Sequence, residues 1–236
     1  MAKNKEGKTK KPFYKKWWFW LIAVIVIIGA SSSGGSSDNS SKSDKSSNTE
    51  KVAKKTDNTN KDATSEKNTA KPVTLGAGTY EVGKGKDIEP GRYVIKAVQG
   101  SGNLNSTGSG DINVILGQSA DNTSGQVDSY TADLKANTKV KIEGINQTSF
   151  TPVTNRQYLT QLSAGQWVVG KDIKAGRYKV VATQGSGNFH SSNGDINEIL
   201  GTTADDTTGQ VKSVTVNLHN GEVINSDLQQ VQLQAQ

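Results

Sequence analysis

Hydrophobic and polar residues follow three regimes along this chain. From Trp17 to Ala30 almost every position is apolar, from Ser31 to Lys71 almost none is, and after Pro72 apolar residues return at every second position. In the third regime Tyr93, Ile95 and Ala97 alternate with Val94, Lys96 and Val98, and Lys139-Val140-Lys141-Ile142 alternates in the same way. A period of two predicts strands with one buried face. Glu89-Pro90-Gly91, Asp121-Asn122-Thr123-Ser124-Gly125 and Asn220-Gly221 supply turn chemistry between such runs. One competing period appears: Ile112, Ile115 and Leu116 have the spacing of a single helical turn, as do Ile196, Ile199 and Leu200.

The third regime is also written twice. Gly83–Leu134 matches Gly170–Leu218 almost residue for residue. Asp87-Ile88 with Gly91-Arg92-Tyr93 becomes Asp172-Ile173 with Gly176-Arg177-Tyr178, and Gln99-Gly100-Ser101-Gly102-Asn103 becomes Gln184-Gly185-Ser186-Gly187-Asn188. Gly110-Asp111-Ile112-Asn113 returns as Gly194-Asp195-Ile196-Asn197. One unit used twice predicts two tandem all-β modules, each a small antiparallel sandwich or barrel of five or six short strands and about 75 residues. A unit that small is marginal by itself, so the copies are expected to pack together through the segment around Thr154–Ala164, itself a strand or short helix. The copies diverge at their ends. The second closes on the Gln-rich run Ser226–Leu233, read as either an edge strand or an interaction surface.

Charge changes the picture at one place. The net charge is +6, and residues 1–16, with seven lysines against Glu6, carry all of it. A nucleic-acid partner would need positive charge on the folded face, so none is expected. Lysines ahead of Trp17-Trp18-Phe19-Trp20 instead match the positive-inside rule and an interfacial aromatic belt. The 14 residues Trp17–Ala30 span about 21 Å as a helix, short of a bilayer core of about 30 Å. A single transmembrane helix over 17–36 therefore draws in Ser31–Ser36. The alternative is a cleaved signal peptide, against which Ile28 is bulky for the position three before a cut after Ala30. Both readings put the repeats outside the cell, and the anchor reading leaves a cytoplasmic tail over 1–16.

Residues 37–71 read as a disordered linker, too polar to offset their chain entropy. The whole tract 31–71, 41 residues, would span roughly 35 Å as a flexible chain. The expected order is then tail, anchor, linker, β module 72–154, connector 155–164 and β module 165–236.

Candidate chemistry is sparse. The chain has no cysteine, hence no disulfide, thiolate nucleophile or lipid-anchor cysteine. Its two histidines, His190 and His219, lie in one copy without partners at ligand spacing, and no nucleophile elbow is present. Neither an enzyme nor a cofactor is expected. The sharpest candidate metal ligands are two acidic loops per copy: Asp111, Asn113 and Asp121 in the first, Asp195, Asn197 and Asp205 in the second. Such oxygens suit Ca²⁺, but Asp and Asn equally cap their own turns. Trp167, Tyr80, Tyr93 and Tyr178 are candidate platforms for a sugar ring, against the alternative that aromatics on strands are core.

The tandem pattern Tyr80-Glu81-Val82-Gly83, Asp87-Ile88, Gly91-Arg92-Tyr93, Gly100-Ser101-Gly102-Asn103, Ile115-Leu116-Gly117 and Gly125-Gln126-Val127 resembles a group of poorly characterised cell-surface proteins of Gram-positive bacteria. The Lys/Trp-led anchor and Ser-rich spacer are similar too. The resemblance implies a single-pass membrane protein with extracellular repeats and carries no activity with it. The expected role is binding or structural, toward a cell-wall polymer, a glycan or another surface protein. The alternative is the ectodomain of an envelope sensor or stress regulator.

Overall fold

The computed structural model describes residues 67–108 and 111–236. The basic tail, the 17–36 anchor and the linker up to residue 66 lie outside the described residues. Within them the chain is all-β and sandwich-like, with no helix, and twelve strands form one mixed sheet.

The first copy contains β1 (Val73–Leu75), β2 (Gly78–Glu81), β3 (Gly91–Thr107), β4 (Asn113–Gly117), β5 (Tyr130–Leu134) and β6 (Lys139–Pro152). The second contains β7 (Gln161–Val168), β8 (Gly176–Gln184), β9 (Ser186–Ser191), β10 (Asn197–Gly201), β11 (Ser213–Leu218) and β12 (Val223–Ala235). Strand by strand, β1 and β2 correspond to β7, β3 to β8 plus β9, and β4, β5 and β6 to β10, β11 and β12. The duplication in sequence is thus a duplication in space.

Alternation becomes burial where it was expected. Tyr93, Ile95 and Ala97 point inward, as do Val140, Ile142 and Ile145. At the ambiguous positions the strand wins: Ile112, Val114 and Leu116 are buried while Asn113 and Ile115 face out. The helical spacing of Ile112, Ile115 and Leu116 was a coincidence of a two-residue period that meets an extra exposed isoleucine. The 155–164 connector contains the start of β7, so its second half is strand.

The Gln-rich terminus is not an edge. β12 is central, pairing with β7, β8 and β9. Leu228, Val231 and Leu233 are its inward positions, which leaves the glutamines to alternate outward or half-buried. Register aligns the two divergent ends. Ser226 pairs with Phe189 as Ile142 pairs with Leu104, so Ser226 stands where the first copy has Ile142, and the first copy carries Gly144 as an additional bulge residue.

Two apolar cores result, one per copy. One of the sites at which they differ leaves a polar atom stranded. Thr148 is fully buried with no hydrogen-bond partner for its hydroxyl, at the position the second copy fills with Val231. An orphaned buried hydroxyl costs about 1–3 kcal/mol. Thr148→Val should therefore stabilise the protein by about 1 kcal/mol, read as a raised denaturation midpoint at unchanged slope.

Candidate binding face

On each copy the hairpin that begins within the Gly-Ser-Gly-Asn segment presents the same outward surface. Cross-strand partners share a face. In the first copy Asn103 opposes Ile115 and Asn105 opposes Asn113; in the second Asn188 opposes Ile199 and His190 opposes Asn197. Along β4 and its approach, Asp111, Asn113 and Ile115 are exposed between buried Ile112, Val114 and Leu116. Asp195, Asn197 and Ile199 repeat the stripe. Ile115 and Ile199 are 38% and 39% exposed, so neither is held in place by a core.

A third strand widens the face. Glu143 and Lys141 pair beside Asn103 and Asn105, and form an ion pair at 2.7 Å. In the second copy Asn225 pairs beside His190, and Asp227 accepts from Asn188 Nδ2 at 3.2 Å. Burial pushes the Asp227 carboxyl above the ordinary carboxylate range, with Asn188 and His190 pulling the other way. The sign follows from linkage. A raised folded pKa means the folded state holds that proton more tightly, so stability falls as pH rises from about 4 through the raised value. Asp227→Asn should thus stabilise the protein at neutral pH and lose that advantage in acid, a trend that denaturation midpoints across pH would read directly.

The loop beyond each hairpin is pre-organised by its own side chains. Asp121 accepts from the Thr123 N–H at 2.9 Å, the Thr123 hydroxyl at 2.6 Å and the Ser124 hydroxyl at 3.0 Å. Asp205 accepts from the Thr207 N–H and hydroxyl at 2.9 and 2.6 Å. These bonds, the threonine hydroxyls foremost, hold both carboxyls below their ordinary range. Gln126 and Gln210 then latch the loop, donating to Ser119 and Thr203 carbonyls at 2.6 and 2.7 Å. Their amides lie over Gly117 and Gly201, where any Cβ would come within 2.2 and 2.4 Å. The Gly-Gln pairs stand in both copies of the sequence, and only the fold shows why.

The other sequence candidates distribute as follows. Asp111, Asn113, Asp195 and Asn197 belong to the exposed stripe, whereas Asp121 and Asp205 serve their turns. Among the described residues no three His, Asp or Glu side chains converge as a metal site would require. Tyr93 is fully buried, edge-on to Phe150, and its hydroxyl donates to the Glu89 carbonyl. Tyr178 is buried likewise and donates to Lys174, so neither offers a ring face to a sugar. Trp167 is 6% exposed and donates from Nε1 to the Ser163 carbonyl at 3.0 Å; Tyr80 is half-buried and donates to Gly76 at 3.2 Å. Both reach back four residues along the same strand position.

Trp167 has a different task. Arg92 lies 5.0 Å above its ring and contacts Asp133 at 3.0 Å and Asp172 at 3.3 Å. Arg156 meets the same two carboxylates, Asp172 at 3.2 Å. This four-charge cluster joins the copies, together with a parallel bridge between Thr131 of β5 and Gly165 of β7. A Cβ on Gly165 would stand 2.5 Å from the Thr131 carbonyl, which explains a glycine in mid-strand. Ala164 of the second copy sits in the core of the first. A cleft of about 420 Å³ opens beside the cluster, lined by Asn68, Arg92, Asp133 and Arg156 among others, but both guanidinium groups in it are already paired. Sequence spacing gives no sign of this cluster, because Arg92 and Arg177 look alike until the fold buries only the first.

Comparison of the chain with protein-family models, curated proteins and solved structures finds no match.

Proposed function

We propose that this is a membrane-anchored extracellular binding protein whose two copies present one surface twice to a hydroxyl-rich polymer of the cell wall. The observation that carries the reading is the repeated stripe, with exposed Ile115 and Ile199 flanked by Asn103 and Asn113, and by Asn188 and Asn197. Side-chain amides offer a donor and an acceptor to vicinal hydroxyls, and an exposed aliphatic group suits the C–H face of a sugar. Two linked sites multiply weak contacts into useful retention. The basic tail, apolar segment and polar linker support placement outside the membrane, and likeness in layout to Gram-positive surface proteins supports the wall as ligand source.

Full-length protein in detergent micelles, incubated with membrane-free cell walls, tests this. Saturable retention is expected, with loss after the wall's anionic polymers are stripped if those are the ligand, and persistence if the glycan is. Ile115→Ser or Ile199→Ser should each weaken retention modestly, and the double variant should abolish it. No retention by either wall preparation would overturn the reading.

A further inference from the structure

The copies meet through two different surfaces. The first copy contributes β5 with Arg92, and the second contributes β7 with the turn that follows it. Such a contact is heterologous, and a repeat that uses it leaves one unfilled surface at each end. The strand order runs from β1 to β11, and among the described residues the outer edge of β11 pairs with no strand. β11 is the second copy's β5, while β1 and β2 are the first copy's β7.

The geometry points to a second copy of this chain as the occupant. β11 of one molecule would dock on β2 of the next, head to tail, in an open array. Residues at the joint have counterparts at the free ends. Thr131, buried at the joint, is exposed Thr215 on β11, and Gly165 is Gly78 on β2. Arg92 becomes exposed Arg177, Asp172 becomes exposed Asp87, and Trp167 becomes half-buried Tyr80. A basic group and an acidic group therefore wait at the two ends where Arg92 and Asp172 meet inside the chain.

Asp87 is already set for this role. It accepts from the Glu81 N–H at 2.9 Å, just as Asp172 accepts from Val168 at 2.8 Å. A groove of about 280 Å³ runs beside β11, lined by Val214, Thr215, Val216, Asn217 and Glu198, where the joint is filled in the first copy. One element of the joint is changed: Asn217 replaces Asp133, so a carboxylate of the internal cluster has no charged counterpart on β11. The contact between molecules is accordingly weaker than the one within them, and it calls for the high local density of anchored chains. It stands apart from any wall ligand.

The absence of cysteine makes a clean test possible. Gln166 and Asp133 line one cavity of about 200 Å³ at the joint, and their counterparts Thr79 and Asn217 are both exposed. Full-length chains bearing Thr79→Cys and Asn217→Cys would be reconstituted together in vesicles and oxidised. Disulfide-linked heterodimers should exceed either homodimer about tenfold. Adding Arg177→Glu to the Asn217→Cys chain should lower that yield about tenfold, and adding Asp87→Arg to its partner should restore it. Heterodimers no more abundant than homodimers would overturn the inference, as would a heterodimer yield indifferent to charge reversal.

Discussion

Arg92→Ala should lower stability by about 3 kcal/mol, near the lower end of what removing one member of a buried ion pair costs. The loss arises less from the missing attraction than from what stays behind. Asp172 retains a 4% exposed side chain, and its partner would be gone from one oxygen. Arg156 still reaches Asp172 and Asp133, which is why the effect should fall short of the full penalty. The cation–π contact with Trp167 disappears as well, and a void opens between the copies. Arg177→Ala supplies the internal control. It removes the same residue from the equivalent strand position, where the side chain is exposed, and should change stability by no more than about 0.5 kcal/mol. Chemical denaturation of both variants reads the difference, and equal effects would deny the cluster its role in joining the copies.

The second large effect lies in the cores. The first copy packs Leu104 against Ile142 across β3 and β6; the second packs Phe189 against Ser226 across β9 and β12. All four are essentially buried, and the larger ring in one copy is matched by the smaller partner. Ser226→Ile alone should overpack the second core and cost about 1–3 kcal/mol. Phe189→Leu alone should leave a cavity of similar cost. Made together they reproduce the first copy's pair and remove the unpartnered Ser226 hydroxyl, so most of the loss should return. A double-mutant cycle with a coupling of about 1–3 kcal/mol is the expected signature. Strict additivity of the two single losses would show that volume is not exchanged between these positions.

These two results separate kinds of information. Strands, turns and the duplication were legible because they rest on local rules: a period of two buries one face, and Asn, Asp and Gly select turn backbones. Asn220-Gly221 predicts its turn at once, and the Asp121 and Asp205 turns close on their own threonines. The aromatic candidates were legible as aromatics, but their exposure was not. Tyr80 and Trp167 occupy equivalent strand positions, yet Tyr80 is half-buried and Trp167 buried, because burial depends on what the neighbouring strand brings over them. The candidate binding face was half legible, since Asp111, Asn113, Asp195 and Asn197 stand out by repetition while Asn103, Ile115 and their counterparts gain meaning only when pairing sets them side by side.

By itself, then, the chain's sequence determined an all-β repeat built twice, carried behind a basic, apolar and polar leader, because alternation, turn residues and repetition act over a few neighbours. Tertiary structure alone decided that β12 is central, that Ser226 answers Ile142, and that Arg92 is buried while Arg177 is not. Those outcomes depend on contacts between residues up to about eighty positions apart, where which copy lies next to which surface sets the environment of otherwise identical side chains.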